Sequence, residues 1–310
     1  MNEEYFIRAL QRIHGLRPYE SDADAVPFGP GMLLVSSDAF SLAEDFLAGL
    51  SPRDMGRFMA TGACTDLLAS GARPEALTQV WTCSPSDPPS FYEQVAEGVQ
   101  DVLAHYGARV IGGDVAMASE WSWSATVFGH AARPVRRVAA ARVDFDLYVS
   151  DPLGLANAAV ALGYPVPLPS WRDPVPSGTL FATDTSGGFF DALENFRRVN
   201  PGLHLEVDCD RVLAPELRAL LPAGVEPGWT LVGGVGEYAL FFAVPRGTSV
   251  CDGLWVGRGG FRDASAAVEI LLKTDGRTGR QKEAPPDWRA VAPEDRLAVV
   301  ARYWQGLFEE

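Results

Sequence analysis

Carboxylates are the side chains whose placement in this sequence suggests chemistry. Asp66 lies inside "TGACTDLLASGARP", residues 61–74, which reads as a helix closed by a Gly and a Pro. At helical spacing its face carries Gly62 and Ala63 one turn before and Ala69 and Ser70 one turn after, a smooth stripe open to close approach. Helix propensity explains a mid-helix Asp on such a face poorly. Asp38 is read as ending the apolar strand "MLLVSSDAF", Asp114 follows Gly112 and Gly113, and Asp184 follows "LFAT". Asp22 and Asp24 sit in the loop ahead of the first strand. Hard oxygen donors beside Gly turns suit Mg²⁺. Such ions let an acidic protein hold a nucleotide polyphosphate without a basic loop. Asp also favours turns for local hydrogen-bonding reasons, so spacing alone leaves the ligand and turn readings both open. The chain has no Walker A motif and no GxGxxG.

The elements that must carry these groups follow from periodicity. "EEYFIRALQRIHGL" reads as a helix, "RPYESDADAVPFGPG" as a loop and "MLLVSSDAF" as a strand. A helix starts with Ser51 as N-cap and Pro52 at its first position and closes at Gly71. "LTQVWTC" reads as a strand, "PSFYEQVAEGVQDVLAHYGA" as an amphipathic helix, "RVIGGDVAMA" as a strand entering a turn, and "WSWSATVFGHA" as an alternating strand with one buried face. A domain boundary is expected near residue 145, dividing 1–145 from 146–310, with "DLYVSDPLGLANAAVALG" opening the second domain as strand and helix. "YPVPLPSWRDPVPSG" reads as an irregular segment. "TLFATDTSGGFFDALENFRRV" reads as strand, turn and helix, and "PEDRLAVVARYWQGLF" as a closing amphipathic helix. Interleaved strands and helices imply an α/β or α+β protein.

Composition narrows the partners. A net charge of −14 over 310 residues, with no Lys/Arg run, argues against nucleic acid. Four cysteines without CxxC spacing support neither a zinc knuckle nor a disulfide framework. No signal peptide or membrane span is read, so a cytoplasmic protein is expected. The four histidines are dispersed.

The blocks "LLVSSDAFSLAEDF", "SPRDMGRFMATGACTDLLASGARP", "VIGGDV", "TDTSGGF" and "GGVGEYALFF" resemble, in order and approximate spacing, thiamine-monophosphate kinase. That enzyme belongs to the aminoimidazole ribonucleotide synthetase and selenophosphate synthetase superfamily. The resemblance covers about residues 1–260, and the tail from about 262 is atypical. It implies a two-domain fold whose N-terminal strands join those of a second subunit in an interface barrel, hence a homodimer, with a C-terminal α/β domain. It implies ATP and Mg²⁺ as cofactors, with Asp22, Asp24, Asp38, Asp66 and Asp114 as candidate metal ligands and Asp184 and Ser186 as candidate catalytic residues. Candidate nucleotide contacts are Gly112, Gly113, Asp114, Arg142 and Glu237. On this view Asp66 faces a metal and phosphate cluster, and its small neighbours make room for it.

Several positions depart from the kinase pattern. Ala23 stands at the second position of its paired-Asp loop, Asp45 at its His, Phe58 at its Lys, Ala63 at its Asn, and Gly187 at the second Asp of its Asp-x-Ser-Asp-Gly motif. Two functions are therefore carried forward. One is a Mg-ATP-dependent phosphotransferase with an altered small-molecule substrate. The other is a catalytically diverged homologue that binds a nucleotide or metabolite in a structural or regulatory role.

Overall fold

Helix α2 (Pro52–Ala69) organises the chain. Ser51 caps it, its Oγ accepting from Asp54 N at 3.2 Å, and Pro52 supplies a preset φ where no intrahelical N–H is needed. After the first turn the helix is buried nearly all round. Its position between two sheets explains this, since a helix covered on every side has no polar stripe to present. The computed structural model describes residues 3–15, 19–286, 291–292 and 295–309.

The first sheet holds β1 (Asp24–Phe28), β2 (Gly31–Ser41), β3 (Arg73–Cys83), β4 (Arg109–Met117) and β5 (Ser122–Ala131), in the order β1-β2-β5-β3-β4. Helix α3 (Pro89–Tyr106) connects the parallel pair β3 and β4; the other pairings are antiparallel. Strand β5 alternates as its pattern predicts, burying Trp123, Ala125 and Val127. Helices α2 and α3 cross at two glycines. A Cβ on Gly56 would lie 2.0 Å from Val95 O, and one on Gly98 would lie 1.9 Å from Arg53 O. Only glycine permits that backbone contact.

The second sheet has the order β12-β11-β8-β10-β6-β9-β7. Its strands are β6 (Phe145–Val149), β7 (Phe181–Asp184), β8 (Leu203–Asp208), β9 (Leu240–Pro245), β10 (Leu254–Phe261), β11 (Glu269–Thr274) and β12 (Arg277–Arg280). The pair β8 and β11 is parallel and the rest are antiparallel. Strand β9 shows why "LFFAV" is apolar throughout: Leu240, Phe242 and Val244 join the core around α2, while Phe241 and Ala243 join a second core with Phe189 and Phe196 of helix α5 (Phe189–Val199). The remaining helices are α1 (Glu3–His14), α4 (Leu155–Leu162), two single turns α6 (Cys209–Val212) and α7 (Leu217–Leu220), and α8 (Arg296–Gly306).

The architecture is mixed α and β with two open sheets, and several expectations need correction. The stretch read as a loop before the first apolar strand contains β1, a short and mostly exposed edge strand that includes Pro27. Asp38 does not end its strand, because β2 continues to Ser41 and Asp38 pairs with Ala125. No turn occurs at Gly112-Gly113-Asp114. The register shifts at Ile111 and β4 runs on beside β3 to Met117, with a Gly113 Cβ position only 2.0 Å from Gln79 O. Of the N-terminal strands expected to join a second subunit, β2 and β5 are internal and paired on both sides; the edges are β1 and β4. Five strands, β8, β9, β10, β11 and β12, fall in segments that carried no strand assignment.

Candidate active site

Three of the aspartates converge where the two sheets meet. Asp22 precedes β1, Asp66 lies near the end of α2, and Asp184 is the last residue of β7. One carboxylate oxygen from each lies within 4.8 Å of the others. Asp184 is fixed from both sides. Thr65 Oγ1, one residue before Asp66 on α2, donates to its Oδ2 at 2.7 Å, and Ser186 Oγ donates to its Oδ1 at 2.8 Å. Ser36 of β2 donates to Asp66. Asp22 Oδ1 accepts from Thr183 Oγ1 at 2.9 Å and from Arg137 Nε at 3.0 Å.

The electrostatics are unbalanced. Arg137 is the one guanidinium bonded to the cluster among the described residues, against three carboxylates. Burial, and then the neighbouring Asp184 working against Arg137, push Asp22 up to about 6. Burial together with Asp38, Asp184 and Asp22 drives Asp66 well above the usual carboxylate range. Asp38 is pushed up to about 7 by burial and by Asp184, Asp45 and Asp22. A divalent cation would offset this excess of carboxylates. The oxygen donors are already grouped at a ligand-like spacing, so the residues present fit Mg²⁺.

Through Asp66 the cluster borders a cleft of about 620 Å³, whose lining also includes Asp38, Ser186, Asp191, Val232 and Pro285. The small stripe on α2 does not make room for ligands. A Cβ on Gly62 would meet the Tyr238 ring at 2.8 Å and Phe40 at 3.0 Å, so aromatic side chains fill that space. Ser70 Oγ accepts from Ala23 N at 3.2 Å. Tyr238 itself sits at φ 53°, a left-handed conformation uncommon for an aromatic residue, and lines the cleft.

Other candidates lie elsewhere. Asp24 is exposed on β1, and Gly112, Gly113 and Asp114 are exposed on the edge strand β4; none of them lines this cleft. Arg142 donates to the carbonyls of Pro201 and Arg262 and stacks on Phe261 at 4.7 Å. Glu237 accepts from Gly154 N at 2.6 Å and Ala156 N at 2.9 Å, capping the start of α4. Burial pushes Glu237 up to about 7 against those N–H donors, which favour its ionised form. Sequence reasoning missed Arg137 as the partner of Asp22 and Thr65 as the support of Asp184. The helical offset between Thr65 and Asp66 is visible in the sequence, but the partner of Thr65 is 119 positions away.

Residues 20–131 match the family model "AIR synthase related protein, N-terminal domain". Thiamine-monophosphate kinase of Archaeoglobus fulgidus is 23% identical over 167 residues, 52% of this chain and 55% of that protein. The Mycobacterium tuberculosis enzyme is 29% identical over 144 residues, 46% of this chain and 43% of that protein. The chain thus spans about half the length of the curated relatives it matches. Over its N-terminal part the chain is thus similar to AIR synthase related proteins, and over about half its length to thiamine-monophosphate kinases. Its fold agrees with the solved "AaThiL complexed with AMPPCP and TMP", at a TM-score of 0.75 and 19% identity, covering 89% of this chain and 94% of that one. The E. coli hydrogenase maturation protein HypE superposes at a TM-score of 0.64 and 18% identity, covering 95% of this chain and 99% of that one. Among the described residues, no helix is long and apolar enough to cross a membrane.

Proposed function

We propose that this chain is a Mg-ATP-dependent phosphotransferase acting on a small metabolite other than thiamine monophosphate. The observation that carries the reading is the convergence of Asp22, Asp66 and Asp184 beside a cleft large enough for small-molecule ligands. Kinship with thiamine-monophosphate kinases, and an ATP analogue in one structural relative, support the nucleotide. Mg²⁺ held there supplies charge neutralisation for a polyphosphate. The protein's own part is positioning. Thr65 and Ser186 orient Asp184, Ser36 orients Asp66, and α2 fixes both relative to β7, so the carboxylates reach the reaction preorganised. Gly187 in place of the second motif Asp, and Ala239 where the kinase pattern Glu-Asp-Tyr-Glu ends in Glu, support an altered acceptor.

The proposed division of labour places nucleotide binding and dimerisation in residues 1–145. Strand β4 leaves Val110, Ile111, Val115 and Met117 exposed along a sheet edge, a surface suited to a second copy in a cytoplasmic homodimer. A second reading, a homologue that binds nucleotide without turnover, draws support from Arg137, which already occupies Asp22. Calorimetry with AMPPCP, followed by measurement of ADP formed from ATP, Mg²⁺ and a panel of small acceptors, separates the two. Acceptor-dependent ADP supports the phosphotransferase. Tight Mg²⁺-dependent binding without ADP supports the second reading, and no binding contradicts both.

A further inference from the structure

The cleft wall farthest in sequence from the carboxylates comes from the atypical tail. Ala284, Pro285 and Pro286 line it, together with Val232, Gly234 and Gly236. The tail wall is held at several points. On one side Gln281 N donates to Ile270 O of β11 at 3.1 Å. Tyr303 of α8 donates its hydroxyl to Glu283 O at 2.8 Å, one residue before the wall. The same Tyr303 ring meets Phe190 of α5 edge-on at 5.6 Å, beside the cleft residue Asp191. Next to it Trp304, 1% exposed, is seated where a Gly228 Cβ would lie 1.9 Å from its ring. Gly228 belongs to the 3₁₀ turn Pro227–Leu231 that leads into the Val232–Gly236 stretch. One helix therefore ties together three segments of the cleft.

The wall is also stiff by composition. Each proline fixes its φ and offers no N–H, so the segment cannot retreat into a new hydrogen-bonded register. A stiff wall excludes by size, whereas an adaptable one reshapes around its ligand.

We propose that the tail is a rigid acceptor-side wall: α8, through the positioning residues Tyr303 and Trp304, holds Ala284–Pro286 and Val232–Gly236 in place and limits the size of the second substrate. The inference rests on the phosphotransferase reading for there being a second substrate. It is tested on the full-length chain with the variants Pro285→Gly/Pro286→Gly and Tyr303→Phe; the latter keeps the ring on Phe190 and removes only the bond to Glu283. Calorimetry measures Mg-AMPPCP first, then thiamine monophosphate added to that complex as a probe. The expected result is unchanged Mg-AMPPCP affinity in all proteins. Thiamine monophosphate should bind about tenfold more tightly in the double glycine variant, with a smaller change in the same direction for Tyr303→Phe. Thiamine monophosphate affinity that is unchanged or weaker, while Mg-AMPPCP still binds, overturns the wall. Failure of the wild-type chain to bind Mg-AMPPCP overturns the phosphotransferase reading itself.

Discussion

Asp66 shows at the scale of single residues what the sequence makes visible and what it hides. Its oddity in a small, apolar helix was legible from spacing alone, and the fold places it with Asp22 and Asp184. The reason given for its neighbours was wrong: Gly62 accommodates Tyr238 and Phe40. Which distant ring fills a gap cannot be read from local periodicity. Replacing Asp66 by Asn should leave the apoprotein as stable or slightly more so, because burial and the neighbouring carboxylates disfavour ionised Asp66 and Asn carries no such cost, and should abolish Mg²⁺-dependent stabilisation by ATP. Paired melting curves with and without Mg-ATP check both. The cluster also predicts a pH dependence. Asp22 and Asp38 have folded pKa values of about 6 and about 7 against an ordinary 3.8, so between about pH 4 and pH 7 the folded state holds more protons than the unfolded chain. Apoprotein stability is therefore greatest at the acid end of that window and falls as pH rises through it, by an amount on the order of a few kcal/mol. Mg²⁺ binds the ionised carboxylates, so its stabilisation should grow over the same window. Urea midpoints across this range, with Mg²⁺ and with EDTA, check the opposing slopes.

Among the elements, the helices were the more legible. Helix α2 announces itself by Ser51-Pro52 at the start and Gly71 at the end, and α3 by its apolar stripe. Strand β8 carries a readable alternation, with Leu203, Leu205 and Val207 buried and His204, Glu206 and Asp208 between them. In β10, by contrast, Gly257, Gly259 and Gly260 blur any pattern, because Gly257 and Gly259 allow close approach to β8 and Phe145 and Gly260 to Asp144. The α2–α3 crossing gives a direct test. Gly98→Ala places a Cβ against the Arg53 carbonyl and should cost about 1–3 kcal/mol, seen as a lower urea midpoint. Glu237→Ala uncaps α4 and should cost about 1–2 kcal/mol. Because Glu237 is spent on α4, the same variant should keep its Mg-ATP shift in thermal melts; loss of the shift with the midpoint intact would reassign Glu237 to the nucleotide.

The whole molecule is where sequence reading was weakest, because its geometry depends on how two sheets clasp α2. The motif order carried the family resemblance, but the edge strands and the tail's route past the cleft depend on long-range packing. The exposed apolar edge of β4 predicts that Val115→Lys yields a monomer by light scattering while the wild type is a dimer. The central claim is that Asp22, Asp66 and Asp184 together hold the metal that carries the nucleotide. A crystal structure grown with Mn²⁺ and AMPPCP, with the ion located by its anomalous signal, tests it most directly. The account predicts at least one ion coordinated by oxygens of these three residues and by the phosphates, with Arg137 drawn away from Asp22 or turned toward phosphate. Nucleotide bound with the ion elsewhere, and the Arg137–Asp22 pair intact beside ligand-free carboxylates, would contradict it.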